Sequence, residues 1–234
     1  MEKPYVVGID IGGQTAKIGI VNAHGEILAQ TVIRSDQHTD ADLFIQSLCE
    51  TIKNLDAANK TELSQLPGIC VGAPNGNYYK GTIECAVNLK WCGNRLIPFA
   101  EIMSKAIGIP VALTNDANAA AMGEMTYGAV RNMKNFIMIT LGTGVGSGII
   151  IDGKVLYGHD GFAGELGHTI IRPGGRLHKS TGMRGSLESY ASATGVRETA
   201  IEMLTMHPEE PSLLRNYSIN DLTSESVYEC AMQG

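Results

Sequence analysis

Twice in this chain a β-type run breaks on clustered glycines and resumes as another β-type run. The two stretches are GIDIGGQTAKIGI from residue 8 and ITLGTGVGSGIII from residue 139. Glycine lets a backbone turn tightly and leaves main-chain N–H groups uncovered by Cβ atoms. Such N–H groups suit phosphate oxygens. The second stretch is not a Walker loop, because no Gly-Lys-Ser/Thr follows. A dinucleotide fingerprint also fits poorly, since a strand and an Asp-Gly turn come where a helix is required. Either turn alone is compatible with an ordinary hairpin. As a pair they predict two α/β lobes, each opening on a β-meander, with a central cleft where both turns could grip one polyphosphate. The first turn offers Gly12, Gly13, Gln14 and Thr15, and the second Gly142, Thr143, Gly144 and Gly146. Asp10, two residues before Gly12, could hold Mg²⁺ through water beside such phosphates.

The stretches between these turns complete the pattern. YVVGIDI, AKIGIVN and EILAQTVI predict an antiparallel meander. Residues 40–58 place Leu43, Ile45, Leu48, Ile52 and Leu55 near helical spacing, after a Thr39 suited to capping. GICVGAP predicts a buried strand, followed by a polar loop to about Trp91. Residues 97–107 predict a helix that Gly108 stops. IPVALT is a further strand, and NDANAAAMGEMTYGA an Ala-rich helix beginning at its end. Residues 218–232 look like the start of one more helix.

Composition narrows the function. The chain has 24 acidic against 18 basic residues and a net charge of −6. With no Lys/Arg-rich block, the footprint of a nucleic-acid binder is missing. No run reaches the roughly 18 apolar residues of a membrane helix. The five cysteines (Cys49, Cys70, Cys85, Cys92 and Cys230) are odd in number and lack CxxC spacing, as expected of reduced core thiols in a cytoplasmic protein. A small-molecule partner is expected.

Two further features bear polar chemistry. Asn115 and Asp116 stand where a strand meets a helix N-terminus, a position suited to N-capping. A carboxylate there also suits a general base, because the helix dipole favours its ionised form. Then GFAGELGHTIIRPGGRLHKSTGMRGSLESY, from residue 161, gathers Glu165, His168 and Glu188 among glycines. These could hold a metal, run acid/base chemistry or grip a polar ligand.

In order, GIDIGGQTAK, VGAPN, VNLKW, TNDANAAAMGE, LGTGVGSGII and GELGH…RGSLESYAS resemble ROK proteins over about residues 5–200. That family joins sugar kinases and sugar-sensing repressors within the actin/hexokinase-like ATPase superfamily. The resemblance implies two ribonuclease-H-like lobes, here a small lobe over 1–115 and a large lobe over 116–234. It implies ATP with Mg²⁺ and a glucokinase-like transfer of the γ-phosphoryl group to a hexose hydroxyl. Asp116 is then the catalytic base, and Asn88, Asn115, Glu165, His168 and Glu188 hold the sugar. A homodimer is implied as well. The alternatives are a non-catalytic sugar-sensing module and an inactive kinase fragment.

The chain departs from the family pattern in three places. Zinc-bearing members use the His of GELGH with three cysteines, and the matching positions here are Lys179, Thr181 and Ser186, so no structural zinc is expected. Gln14 stands where a Thr is usual. The sequence ends at VYECAMQG, without the family's later adenosine-binding segment or the final helix that packs on the N-terminal lobe. A truncated chain with an incomplete second lobe is the expectation.

Overall fold

The computed structural model describes residues 5–59 and 66–233. The opening meander is β1 (Tyr5–Ile11), β2 (Thr15–Asn22) and β3 (Ile27–Arg34), paired antiparallel. Alternation puts Val7, Ile9 and Ile11 of β1 and Ala16, Ile18 and Ile20 of β2 in the core. Next come α1 (Ala41–Asn59), β4 (Ile69–Ala73), the short strands β5 (Gly76–Asn77), β6 (Thr82–Glu84) and β7 (Leu96–Ile97), then α2 (Phe99–Ile107) and β8 (Val111–Asn115). β4 joins β1 in parallel and β8 joins β4 in parallel, giving the order β3-β2-β1-β4-β8. Parallel neighbours need a crossover connection. α1 lies within the first of these and α2 within the second.

Two details of α1 differ from the sequence expectation. The buried stripe is Ala41, Phe44, Ile45, Leu48, Cys49 and Ile52, while Leu43 is 59% exposed. Residues 41, 44, 45, 48 and 52 follow the i, i+3, i+4, i+7 rhythm of one helix face, and position 43 falls off it. The cap is Asp40 rather than Thr39. Asp40 Oδ1 accepts from Leu43 N at 3.0 Å, and its charge also favours the helix N-terminus.

The stretch after β4 is not a plain loop. β5, β6 and β7 form a small antiparallel sheet. Trp91 is fully buried and stacks on Phe44 with ring centroids 4.6 Å apart. α2 starts at Phe99 because Ile97 belongs to β7. It stops at Gly108, whose φ of 76° is open to glycine and whose N–H donates to Ser104 O.

After β8 follow α3 (Asp116–Tyr127), β9 (Phe136–Leu141), β10 (Val145–Ile151) and β11 (Lys154–Val155). Asp152 and Gly153, with φ of 50° and 73°, make the expected Asp-Gly turn. The remaining helices are α4 (Glu188–Ala191), α5 (Ala193–Met206) and α6 (Ser224–Gln233). Two compact units result: Met1–Met138 with Gly148–Ala163, and Ile139–Ser147 with Gly164–Gly234. All five cysteines are free; Cys49, Cys92 and Cys230 are buried, whereas Cys70 and Cys85 are exposed and are not core thiols. Among the described residues no helix is long and apolar enough to cross a membrane.

Candidate active site

In the first unit the parallel register brings functional side chains to one end of the sheet. Asp10 lies beside Gly72, and Ala73 beside Asn115, so β1, β4 and β8 end nearly level. Carboxyl ends of parallel strands are where α/β proteins collect ligands. The glycine turn after Asp10 is closed by Gly12 N donating to Thr15 O at 2.8 Å. Ser35 braces it, its N–H donating to Gln14 O and its hydroxyl to Gly12 O. A Cβ on Gly13 would stand 3.1 Å from Asn88 O, so the turn and Asn88 are neighbours.

Gly72 lets α3 approach the sheet, since a Cβ there would lie 3.2 Å from Ala119 Cβ and 3.5 Å from Asp116 Cα. Asn115 caps α3, its Oδ1 accepting from Ala117 N at 2.9 Å. Asp116 Oδ1 shares the same donor at 2.9 Å. The protein packed around Asp116 pushes its carboxyl pKa up, and the nearby Asp10 charge adds to this, against the pull of the Ala117 N–H. Asp10, Gly12, Gly13, Asn88, Asn115 and Asp116 thus come together within one unit.

The second unit assembles its own set. Gly142 N donates to Gly144 O across the second glycine turn, and Ala193 N, the first residue of α5, donates to Gly142 O. The Glu165–His168 turn is fastened to β10 twice. Gly167 has no space for a Cβ against Val145 O, and the Ser147 hydroxyl donates to Gly164 O while accepting from Leu166 N. His168 Nε2 lies 3.9 Å from Glu165 Oε2, and His168 Nδ1 is buried with no hydrogen-bond partner among the described residues. Glu188 Oε2 accepts from Val145 N at 2.7 Å, beside the glycine turn. Glu188 and the Glu165–His168 turn thus both pack on Val145, bringing carboxylates and an imidazole to the second glycine turn, a set whose donors and acceptors can pair with a polyol.

The chain matches the ROK family over residues 6–232. It belongs to that family. The glucokinase of Halalkalibacterium halodurans is 37% identical over 99% of this chain and 69% of its own length. The xylose repressor of Caldicellulosiruptor bescii is 32% identical over 98% of this chain and 56% of its own. Among solved structures, a ROK family glucokinase from Streptomyces griseus in complex with glucose and AMPPNP superposes with a TM-score of 0.76 at 30% identity, covering 98% of this chain and 72% of that one. The curated glucokinases that it matches are longer, and it spans 60–69% of their length.

As a ROK chain it lacks thiolates at the family's zinc positions. Thr181 Oγ1 lies 2.9 Å from His178 Nδ1, and Ser186 Oγ is 2.8 Å from Ser189 Oγ. Together with the Lys179 ammonium these donors do not fit zinc. The 172–187 loop is tied down through Arg176 instead. Its guanidinium donates to Ser189 O, Gly195 O, Thr199 Oγ1 and both Glu202 oxygens, and lies 4.7 Å from the Tyr190 ring centroid. Sequence reasoning missed Arg176 and also His178, whose Nε2 is 2.9 Å from Glu188 Oε1. A charge in a Gly/Pro-rich stretch reads as solvated, and neither the Arg176 partners nor Glu188 are spaced to give a local signal.

Proposed function

We propose that this chain performs ATP-dependent phosphorylation of a hexose hydroxyl, as a glucokinase-like sugar kinase. Asp116 is assigned as the general base, taking the hydroxyl proton as the oxygen attacks the γ-phosphorus and ADP leaves. Asn88, Asn115, Glu165, His168 and Glu188 are assigned to the sugar. Asn115 Oδ1 already serves the helix cap, so its amide is the group left to donate. Gly12, Gly13, Gln14 and Thr15, with Gly142, Thr143, Gly144 and Gly146, are assigned to the phosphates of ATP.

The observation carrying this proposal is geometric: Asp116 opens α3 at the carboxyl end of β8, next to Gly72, which pairs with Asp10, and its carboxyl pKa is raised there. A raised pKa makes a carboxylate a stronger proton acceptor. Mg²⁺ fits this corner. Asp10 is a hard oxygen donor, and among the described residues no cluster of three or more His, Cys, Asp or Glu forms a dedicated cage. Such a cation would take its other ligands from phosphate and water. When bound it would neutralise charge on the transferring phosphoryl group.

A sugar-sensing role without phosphoryl transfer is the second reading, favoured by the 32% identity to a xylose repressor. Coupled ADP release with glucose, ATP and Mg²⁺ separates the two, run on this chain and on one extended to the relatives' length. Replacing Asp116 with Ala should lower turnover by about 10²–10⁴ while glucose still binds. Undiminished turnover in that variant would refute the assignment.

A further inference from the structure

We infer that His178 is a positioning residue that fixes the Glu188 carboxylate for the sugar, an inference resting on the reading that Glu188 contacts the sugar. The carboxylate is held at both oxygens. Oε2 accepts from Val145 N at 2.7 Å and lies against Gly144, where a Cβ would stand 2.5 Å from it. On the other side, His178 Nε2 lies 2.9 Å from Oε1. Both side chains are largely enclosed, at 21% and 15% exposure.

The imidazole is itself held. Thr181 Oγ1 lies 2.9 Å from Nδ1, so a neutral ring whose Nδ1 accepts from that hydroxyl carries its proton on Nε2, toward Glu188. The backbone around it closes a small loop, with His178 N donating to Met183 O and Gly182 N to His178 O, both at 2.8 Å. Two residues earlier, Arg176 anchors the strand of this loop to α5 through Gly195 O and Thr199 Oγ1. Rigidity passes from α5 through Arg176 to His178 and so to the carboxylate. With Val145 alone Glu188 could swing about Oε2. With both anchors its remaining lone pairs keep one direction, which a hydroxyl-reading site requires.

The test is calorimetric titration of the chain with glucose, comparing Glu188→Gln, His178→Ala, His178→Gln and the Glu188→Gln/His178→Ala double variant, each checked for unchanged thermal unfolding. Glu188→Gln should weaken binding by about tenfold or more. His178→Ala should weaken it by about fivefold, and His178→Gln, which keeps a side-chain donor, by no more than about twofold. In the Glu188→Gln background the His178→Ala change should add almost nothing, because the group it positions has lost its charge.

Each departure has its own meaning. Unchanged binding in His178→Ala, with Glu188→Gln weakened, overturns the positioning role and leaves the sugar site standing. Fully additive losses also overturn it, since a general loosening of the loop would not depend on Glu188. Unchanged binding in Glu188→Gln, or none by the unaltered chain, overturns the sugar-site reading and this inference with it.

Discussion

In the first unit, the sheet meets α1 and α2 around Phe44, Trp91, Phe99 and Leu48, all fully buried. In the second, Leu222 and Val145 are among the few buried apolar side chains described, while Ile170, Ile171, Met203, Met206, Ile219 and Met232 stay open. What the second unit buries instead is polar: the hydroxyls of Ser147, Ser186, Ser189 and Ser192 and the Arg176 fork. The first unit is held by burial, which is strong and non-directional. The second is held by hydrogen bonds, which contribute less net stability each but fix direction. The contrast suits their contents. Asp116 opens a twelve-residue helix packed on the sheet, whereas His168 and Glu188 stand on helical segments of three and four residues that depend on their hydrogen bonds for direction.

The largest break in this contrast comes from Phe44→Ala, which empties the stack against Trp91. It should cost about 3–5 kcal/mol in urea unfolding of the first unit. Arg176→Ala should cost the second unit about 2–3 kcal/mol, because it strips partners from Ser189 O and Gly195 O. Hydrogen exchange of residues 172–199 should rise with it, and Arg176→Lys should not restore protection, since an ammonium cannot reproduce the fork. Gly167→Ala forces a methyl against Val145 O and should cost about 2 kcal/mol, read as a lowered thermal midpoint.

Smaller effects sharpen the first unit. Asn115→Ala removes the α3 cap, but Asp116 Oδ1 remains on Ala117 N, so the loss should be only about 0.5–1 kcal/mol. Asp116→Asn tests the raised carboxyl through pH. Because the folded state holds the proton more tightly, the ionised group opposes folding at pH above its folded pKa, and this opposition vanishes below the ordinary carboxylate range. Asp116→Asn should therefore raise the urea midpoint slightly at neutral pH and leave it unchanged in acid. The effect is small because the residue keeps more than a third of its surface open.

The strands of the meander, the Gly108 stop and the Asp-Gly turn were legible because each rests on local periodicity or on a backbone angle that glycine favours. Asp10 before the first glycine turn and Asp116 at a strand end were legible as local signals, whereas their nearness to each other followed only from the family resemblance. The β5–β7 sheet was not, because strands of two and three residues carry no period. Phe44 displaced Leu43 from the core because packing on Trp91, 47 residues away, set the helix phase. Arg176 and His178 stayed hidden for a related reason. The side-chain partners of Arg176 lie 13 to 26 residues onward and Glu188 lies 10 beyond His178, and only the folded loop brings them together.

The most direct measurement is a glucose titration of the ¹⁵N-labelled chain followed residue by residue. In the second unit, the amides of Glu165, His168 and Glu188 should shift together and saturate with a single Kd. Shifts that fail to saturate together, or none at any of these three positions, would contradict the proposed sugar site.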